Sequence, residues 1–272
     1  MLFIRIFLPL FVVFYVGNFN SVKKRSPEIL DKLISSDSIR NFAKTFYPKF
    51  KKKEQVVKHL GYTLCYDENY EQAKWVAYRL TAGMCNNNEE ERTDDFREDK
   101  AIKTGSAIPE DYKKSGYDRG HLCPAGDMAW SEIAMSESFY MSNMSPQTPK
   151  FNRGIWKTLE SAVRTWAKKE EELFIVTAGV LEKGLPTIGE KNKVAIPKYY
   201  YKIILDVYGK EKKGIAFIMP NEGSKQSIFD FAVSIDSVER LTQINFFPAL
   251  PDAIENNLES QINVDLWSSS HN

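Results

Sequence analysis

The chain contains short stretches rich in β-branched and aromatic residues, separated by polar turns. Residues 62–66 and 74–80 show this pattern on either side of a polar segment, which predicts two paired strands. Further apolar segments of strand length follow along the chain. These are residues 139–144, 173–181, 194–209 and 213–220. The pattern therefore predicts a sheet of several strands.

Helical spacing of apolar residues appears after Pro149 and predicts a helix over residues 152–171. Its apolar positions are Ile155, Trp156, Leu159, Val163, Trp166 and Ala167. Asn152 is a suitable residue for the start of this helix. Residues 234–244 predict a second, short helix, with Asp236 and Glu239 spaced for a capping box. Because strands and helices do not alternate regularly, the order favours an α+β fold with a central, largely antiparallel sheet flanked by helices.

The N-terminus carries an apolar run from Ile6 to Val16 behind a single cation, Arg5. Eleven residues are short for a membrane span but typical of a signal-peptide core. We therefore expect a signal peptide or an N-terminal anchor over 1–20, a linker over 21–55 and one domain over 56–268. The expected location is periplasmic or extracellular. A mitochondrial transit peptide fits less well, because such segments are amphipathic and rich in arginine and serine.

Charge and cysteine content restrict the chemistry only in part. The 272 residues carry a formal net charge of +1, so contact with a polyanion would have to come from a local patch. The three cysteines, Cys65, Cys85 and Cys123, lack the CxxC spacing of a structural zinc site. In an exported chain, Cys65 and Cys85 are placed to pair, since they flank one predicted hairpin. Of the three histidines, His59 and His271 are expected at the surface.

The third histidine stands in GYDRGHLCPAGDM (116–128) and begins a series of polar residues that continues through Asn143 and Asn152 to Glu160. Neutral histidine can take a proton from water at physiological pH. Mg²⁺ retains several waters, so one asparagine oxygen can suffice as its protein ligand. The predicted helix lacks the paired aspartates of a two-metal site. The residues therefore point to phosphodiester hydrolysis with one metal ion.

Three motifs in order carry a resemblance to a known family. DRGH (118–121), SNMSPQ (142–147) and FNRGIWKTLE (151–160) together resemble the ββα-metal DNA/RNA non-specific endonucleases, which include endonuclease G and secreted bacterial nucleases. The similarity extends from about residue 60 to 267. It implies a ββα-metal fold and cleavage of DNA and RNA, single- or double-stranded, to products with 5′-phosphates. It also implies Mg²⁺ as cofactor, with Mn²⁺ as an alternative.

The resemblance implies a role for each candidate residue. His121 would be the general base, Asn152 the protein ligand of the metal, and Glu160 the residue that holds the metal's waters. Asn143 would fix the loop that carries His121. The remaining candidates are Arg119 and Asp118 for substrate binding and Arg92 for transition-state charge, with Arg97 as an alternative to Arg92.

Two other functions remain open at this point. One is a catalytically inactive, nucleic-acid-binding relative, and the other is a thiol hydrolase that uses Cys123 beside His121. Residues two apart on a strand share a face, so strand geometry alone does not exclude the thiol hydrolase. A homodimer and an inhibitor protein are further partners that the resemblance suggests.

Overall fold

The structure is a computed structural model that describes residues 42, 44–87, 89–208 and 211–268. The predicted export segment and most of the predicted linker lie outside the described residues, as does His271. Phe42 and Phe46, near the end of that linker, are buried against Phe174. Packed residues therefore begin upstream of residue 56. Among the described residues, no helix has the length and apolarity needed to cross a bilayer.

A seven-stranded sheet forms the centre of the fold, in the order β1-β2-β3-β6-β9-β10-β11, and every neighbouring pair is antiparallel. Its strands are β1 (Gln55–Lys58), β2 (Thr63–Asp67), β3 (Gln72–Thr81), β6 (Glu172–Gly179), β9 (Tyr199–Asp206), β10 (Lys213–Pro220) and β11 (Ala232–Val233). Two small hairpins accompany it, β4 (Asp118–His121) with β5 (Met144–Gln147) and β7 (Thr187–Ile188) with β8 (Val194–Ala195). The predicted α+β class with a largely antiparallel sheet is confirmed.

Helices lie between and after the strands. The α-helices of the described chain are α1 (Ala82–Asn86), α2 (Pro109–Tyr112), α3 (Glu132–Ser138), α4 (Lys157–Lys169), α5 (Ile235–Thr242), α6 (Asp252–Ser260) and α7 (Asp265–Ser268). The predicted apolar face of α4 is confirmed, since Leu159, Val163 and Trp166 are buried. Together β4, β5 and α4 form a ββα unit.

Three predicted elements differ from the structure. Residues 141–143 form a 3-10 turn and the strand begins only at Met144, because an apolar run this short does not distinguish a buried turn from a buried strand. Residues 194–209 divide into β8 and β9, with Pro197, which cannot donate to a ladder, between them. The helix predicted from Asn152 begins as a π-helical turn, Phe151–Trp156. That turn is kinked at Gly154 (φ −108°, ψ −114°) before α4 begins.

The predicted capping box and disulfide are also wrong. Ser234 caps α5 by accepting from Ser237 N, while Glu239 accepts from Phe246 N, beyond the end of the helix. Cys65 and Cys85 are both free and buried. Cys65 lies opposite Trp75 on β3, and Cys85 follows the far end of that strand, roughly 20 Å further along at the rise of an extended chain. That separation far exceeds the reach of a disulfide.

The polar segment 85–116 is anchored by a buried hydrogen-bond network. Asp99 Oδ2 accepts from Ser142 Oγ at 2.6 Å and lies 2.9 Å from His59 Nε2. His59 is only 8% exposed, so its expected surface position is wrong. Because Ser142 directly precedes Asn143, this network connects the loop to the turn that leads into β5.

Gly120 is required by the close packing of the β4–β5 hairpin. A Cβ atom at this position would lie 2.2 Å from Gln147 Oε1 and 2.3 Å from Gln147 Cδ, and Gln147 is fully buried. Because the buried Gln147 has no space to move away from a Cβ atom, only glycine at position 120 allows β4 to pair with β5 in this register.

We expect Gly120→Ala to lower the free energy of unfolding by about 1–3 kcal/mol because of overpacking. Urea denaturation measures the change. Gly83→Ala is the matched control, since Gly83 lies in α1, where an added Cβ atom would lie at an ordinary contact distance of 3.7 Å from Thr81 Oγ1. This substitution should be neutral or slightly stabilising. Equal effects of the two substitutions would contradict this account.

Candidate active site

The ββα unit forms one wall of a cleft of about 440 Å³ that contains most of the candidate residues. Its lining residues are Arg92, Arg119, His121, Pro124, Ala125, Gly126, Asn152, Arg153, Lys157, Glu160 and Arg164. A second cleft, of about 550 Å³, shares Arg92, Arg119, Asn152 and Arg153 and adds Asp118. The structure thus brings His121, Asn152, Glu160, Arg92 and Arg119 to one surface, whereas Asn143 lies beneath it.

His121 ends β4 and is buried between two aromatic rings. Phe96 and Phe139 contact the imidazole edge-to-face, at centroid distances of 5.8 and 4.8 Å. Burial, followed by the charges of Arg92 and Arg119, lowers the pKa of His121 to about 3. Its Nε2 atom has no hydrogen-bond partner among the described residues. The ring is therefore neutral at physiological pH, and its Nε2 is buried without a hydrogen bond to any described residue.

Asn143 supports the histidine from below. Its Oδ1 accepts from Cys123 N at 2.9 Å, and its Nδ2 donates to Cys123 O at 2.9 Å and to Ser138 O at 2.8 Å. Its own carbonyl accepts from Leu122 N at 3.0 Å. All of these bonds are internal and the side chain is fully buried. Asn143 thus holds the two residues that follow His121.

Asn152 is oriented by the first residue of the DRGH motif. Its Nδ2 donates to Asp118 Oδ2 at 2.9 Å, and the same carboxylate accepts from Arg153 Nε at 2.8 Å. Because a carboxylate can only accept, the amide nitrogen must face Asp118, which leaves Oδ1 as the free ligand atom. Burial alone would raise the pKa of Asp118, but the hydrogen bonds from Arg153 and Asn152 outweigh it and lower the pKa.

Glu160 is half-buried on α4 and lines the same cleft. Desolvation raises its pKa to about 7; Asp127 acts in the same direction, while Lys202, Arg164 and Arg92 oppose the shift. The kink at Gly154 means that Asn152 and Glu160 do not lie on one regular helix, as their spacing had indicated. They border one groove because the kinked turn and α4 both face it.

The structure distinguishes Arg92 from Arg97. The exposed Arg92 lines both clefts, with its guanidinium 4.7 Å from the Phe139 ring centroid. Arg97 lines neither cleft. It is bound to Asp95 and Ser136 and lies over the Tyr140 ring at 4.1 Å. Arg92 is therefore the arginine of this segment that a cleft ligand can contact.

Cys123 lies beyond the end of β4 and is inaccessible. It is fully buried, and burial, followed by the charge of Asp127, raises the pKa of its thiol well above the usual value. A thiol in this state does not supply the thiolate that nucleophilic catalysis needs. The arrangement argues against the thiol hydrolase.

Sequence reasoning missed four basic residues at this site: Arg153 and Lys157, which lie within the FNRGIWKTLE motif, and Arg164 and Lys202. Arg164 lines the cleft and donates to Asp127 Oδ1 at 2.8 Å; its position one turn after Glu160 could have revealed it. Lys202 is fully buried on β9, with Nζ 4.8 Å from the Trp156 ring centroid and 3.5 Å from Leu122 O. A lone lysine within the apolar run YYYKIIL was the available signal.

The buried state of His121 predicts a pH-dependent stability. Between about pH 3 and 6.5 the unfolded chain binds a proton at this residue and the folded chain does not, so stability falls as the pH is lowered. We expect the wild type to lose about 2 kcal/mol more than His121→Gln between pH 7 and pH 5. Urea denaturation in EDTA at each pH measures this difference, and equal losses would show that the histidine titrates normally.

Comparison with known proteins identifies the family of the chain. Residues 41–253 match the DNA/RNA non-specific endonuclease family. Human mitochondrial endonuclease G is 32% identical over 201 residues, which cover 69% of this chain and 68% of that protein. A nuclease of Nostoc sp. (strain PCC 7120 / SAG 25.82 / UTEX 2576) is 34% identical over 74% of this chain and 76% of its own length.

A solved structure is similar over most of the fold. The crystal structure of the EndoG/EndoGI complex, which describes the mechanism of EndoG inhibition, superposes with a TM-score of 0.70 at 32% identity. The match covers 80% of this chain and 95% of that one. On the extent of the family match and these relatives, the chain belongs to the DNA/RNA non-specific endonuclease family.

Proposed function

We propose that this chain is a metal-dependent endonuclease that hydrolyses phosphodiester bonds in both DNA and RNA. The observation that carries the proposal is the pairing, in one cleft, of a neutral histidine with an asparagine. Among the described residues, the histidine Nε2 has no hydrogen-bond partner, and the asparagine turns its amide nitrogen towards Asp118. Five cationic side chains line that cleft: Arg92, Arg119, Arg153, Lys157 and Arg164. The cleft therefore carries a local basic patch, which the formal net charge of +1 for the whole chain does not reveal.

The donor set fits a hard divalent cation. Asn152 Oδ1 is an oxygen ligand held in place through Asp118, and Glu160 adds a carboxylate at the same cleft. Asn152 would hold the ion and Glu160 its water shell, with Mg²⁺ as the proposed metal and Mn²⁺ as the alternative. When bound, the cation supplies charge neutralisation at the phosphate and stabilises the departing 3′-oxygen.

In the proposed reaction His121 accepts a proton from a water molecule whose oxygen attacks the phosphorus. The bond from phosphorus to the 3′-oxygen breaks and this oxygen takes a proton from a second water molecule, so the products carry a 5′-phosphate and a 3′-hydroxyl. A bound phosphate brings negative charge beside the imidazole, which raises its pKa from about 3 towards the range where base catalysis is effective.

The arginines bind and stabilise the phosphate. Arg119 is placed over the Phe96 ring at 3.9 Å, which leaves its guanidinium fixed at the mouth of both clefts. We assign it to ground-state phosphate contact and Arg92 to transition-state charge. For Asp118, expected to contact substrate, the hydrogen bond to Asn152 supports a role in orienting that residue. Contacts to phosphate carry no sequence information, which accounts for broad substrate tolerance.

The protein partners and the cellular location of this chain are also proposals. The relatives are named as a mitochondrial endonuclease and a bacterial nuclease, and the related structure is a complex with an inhibitor. An inhibitor protein and a homodimer therefore remain proposals for this chain. We also propose export, which rests on the apolar run at Ile6–Val16.

We expect His121→Ala and Asn152→Ala each to lower the rate of DNA and RNA cleavage by about 10²–10⁴-fold, because each removes a group that acts at the phosphate. Digestion of plasmid DNA and of structured RNA, in Mg²⁺ or EDTA, measures this. Arg97→Ala is the matched control and should retain activity. A folded wild type that binds DNA without cleaving it would support the inactive relative instead.

Asp118 and Arg153 form a hydrogen-bonded ion pair, but of the two only Asp118 contacts and orients Asn152. We expect Asp118→Ala to raise the Mg²⁺ concentration for half-maximal cleavage by about 10–100-fold, since partners of metal ligands have effects of this size. Arg153→Ala should change it little, because that side chain is 72% exposed.

Metal titrations of the cleavage rate compare the two variants. If Asp118→Ala instead lowers the rate at saturating Mg²⁺ and leaves the Mg²⁺ concentration for half-maximal cleavage unchanged, Asp118 is assigned to substrate contact.

A further inference from the structure

A second group of carboxylates lies on two helices that take no part in lining the clefts. Helices α5 and α6 pack against β10, where a Cβ atom at Gly214 would lie 2.9 Å from Ile235 Cδ1 and 3.1 Å from Leu258 O. This close packing fixes the two helices relative to each other.

Asp236 and Glu239, three residues apart on α5, and Glu259 on α6 meet at this junction. One carboxylate oxygen from each lies within 4.8 Å of the other two. Glu239 is held in place because it also accepts from Phe246 N at 2.8 Å. The three oxygens therefore come from two helices whose separation is set by the core.

Glu259 supplies an independent indication of a ligand. The residue is only 4% exposed, yet its Oε1 has no hydrogen-bond partner among the described residues. Among the described residues, the charged groups that act on it are Glu239, Glu255 and Asp236, and all three are carboxylates. A buried carboxylate without a partner is strongly unfavourable.

A cation accounts for this geometry, since the ligand oxygens on one ion are held apart by the ion between them. Ca²⁺ accepts several carboxylates in flexible geometry at 2.3–2.6 Å, whereas Mg²⁺ demands a regular octahedron and retains its waters. Zinc sites prefer nitrogen and sulfur ligands.

We propose that Asp236, Glu239 and Glu259 bind a Ca²⁺ ion that connects α5 to α6. The site is structural and separate from the cleft, so it stands whether or not the proposed nuclease activity is correct. Its binding would stabilise the C-terminal part of the domain, because an ion that binds only the folded chain shifts the folding equilibrium.

The test is thermal unfolding of the full chain at neutral pH, in EDTA and then in excess Ca²⁺ or Mg²⁺. Asn152→Ala serves as the background that removes the proposed cleft ligand. We expect Ca²⁺ to raise Tm by about 5 °C in both the wild type and Asn152→Ala, and Mg²⁺ to raise it less. Calorimetric titration with Ca²⁺ should show one site in Asn152→Ala.

Asp236→Asn and Glu259→Gln should each abolish the Ca²⁺-dependent rise in Tm. Asp252→Asn, an exposed acid at the start of α6, is the matched control and should retain it. The proposal is overturned if Ca²⁺ leaves Tm unchanged in the wild type, or if the rise survives both ligand substitutions. It is also overturned if the rise disappears in Asn152→Ala, which would assign the binding to the cleft.

Discussion

The hydrogen bond from Asn152 Nδ2 to Asp118 Oδ2 is the contact on which the arrangement of the site depends. It joins the first residue of β4 to the kinked turn before α4, so the strand that carries His121 and the turn that carries Asn152 are held together. It also decides which atom of the amide faces the cleft. A single 2.9 Å contact thus decides that the amide oxygen, the proposed metal ligand, faces the cleft, and where it lies.

The electrostatics of the site follow from an imidazole buried beside guanidinium groups. Burial, followed by the charges of Arg92 and Arg119, disfavours protonation of His121, so the proposed base is neutral, and the same arginines would offer positive charge to a phosphate. Desolvation raises the pKa of Glu160 to about 7, while Lys202, below the cleft, and Arg164, in its lining, favour the charged form. Burial and the charges of the neighbouring side chains therefore set the protonation states of His121 and Glu160 separately.

The ββα unit relies on packing that extends well beyond its own residues. The loop 85–116 is held by Asp99, which bonds Ser142 directly before Asn143, and Asn143 in turn bonds both backbone groups of Cys123. This chain of buried hydrogen bonds supports His121 from a segment far away in sequence. A buried network of this kind must be fully satisfied to be stable, and every bond of Asn143 is made.

The sequence by itself determined the elements whose pattern is long and periodic. The strands at 173–181 and 213–220, the apolar face of α4 and the α+β class are all present in the structure, because apolar periodicity reports which face is buried. It also identified His121, Asn152 and Glu160 as a group through their motifs. It did not separate Arg92 from Arg97, because both stand in one polar segment and only their contacts differ.

Tertiary structure alone decided the free state of Cys65 and Cys85, the burial of His59 and the place of Lys202 beneath the cleft, and it alone revealed the kink at Gly154. Among the described residues, no atom lies within 4 Å of a Cβ built at Gly154, so contacts with distant residues do not explain the kink. His59, by contrast, is buried with Asp99, a partner 40 residues away, and Cys85 is carried away from Cys65 by the length of β3. Local pattern encodes which residues are buried, but the pairing of distant charges and amides arises only when the sheet and helices have packed.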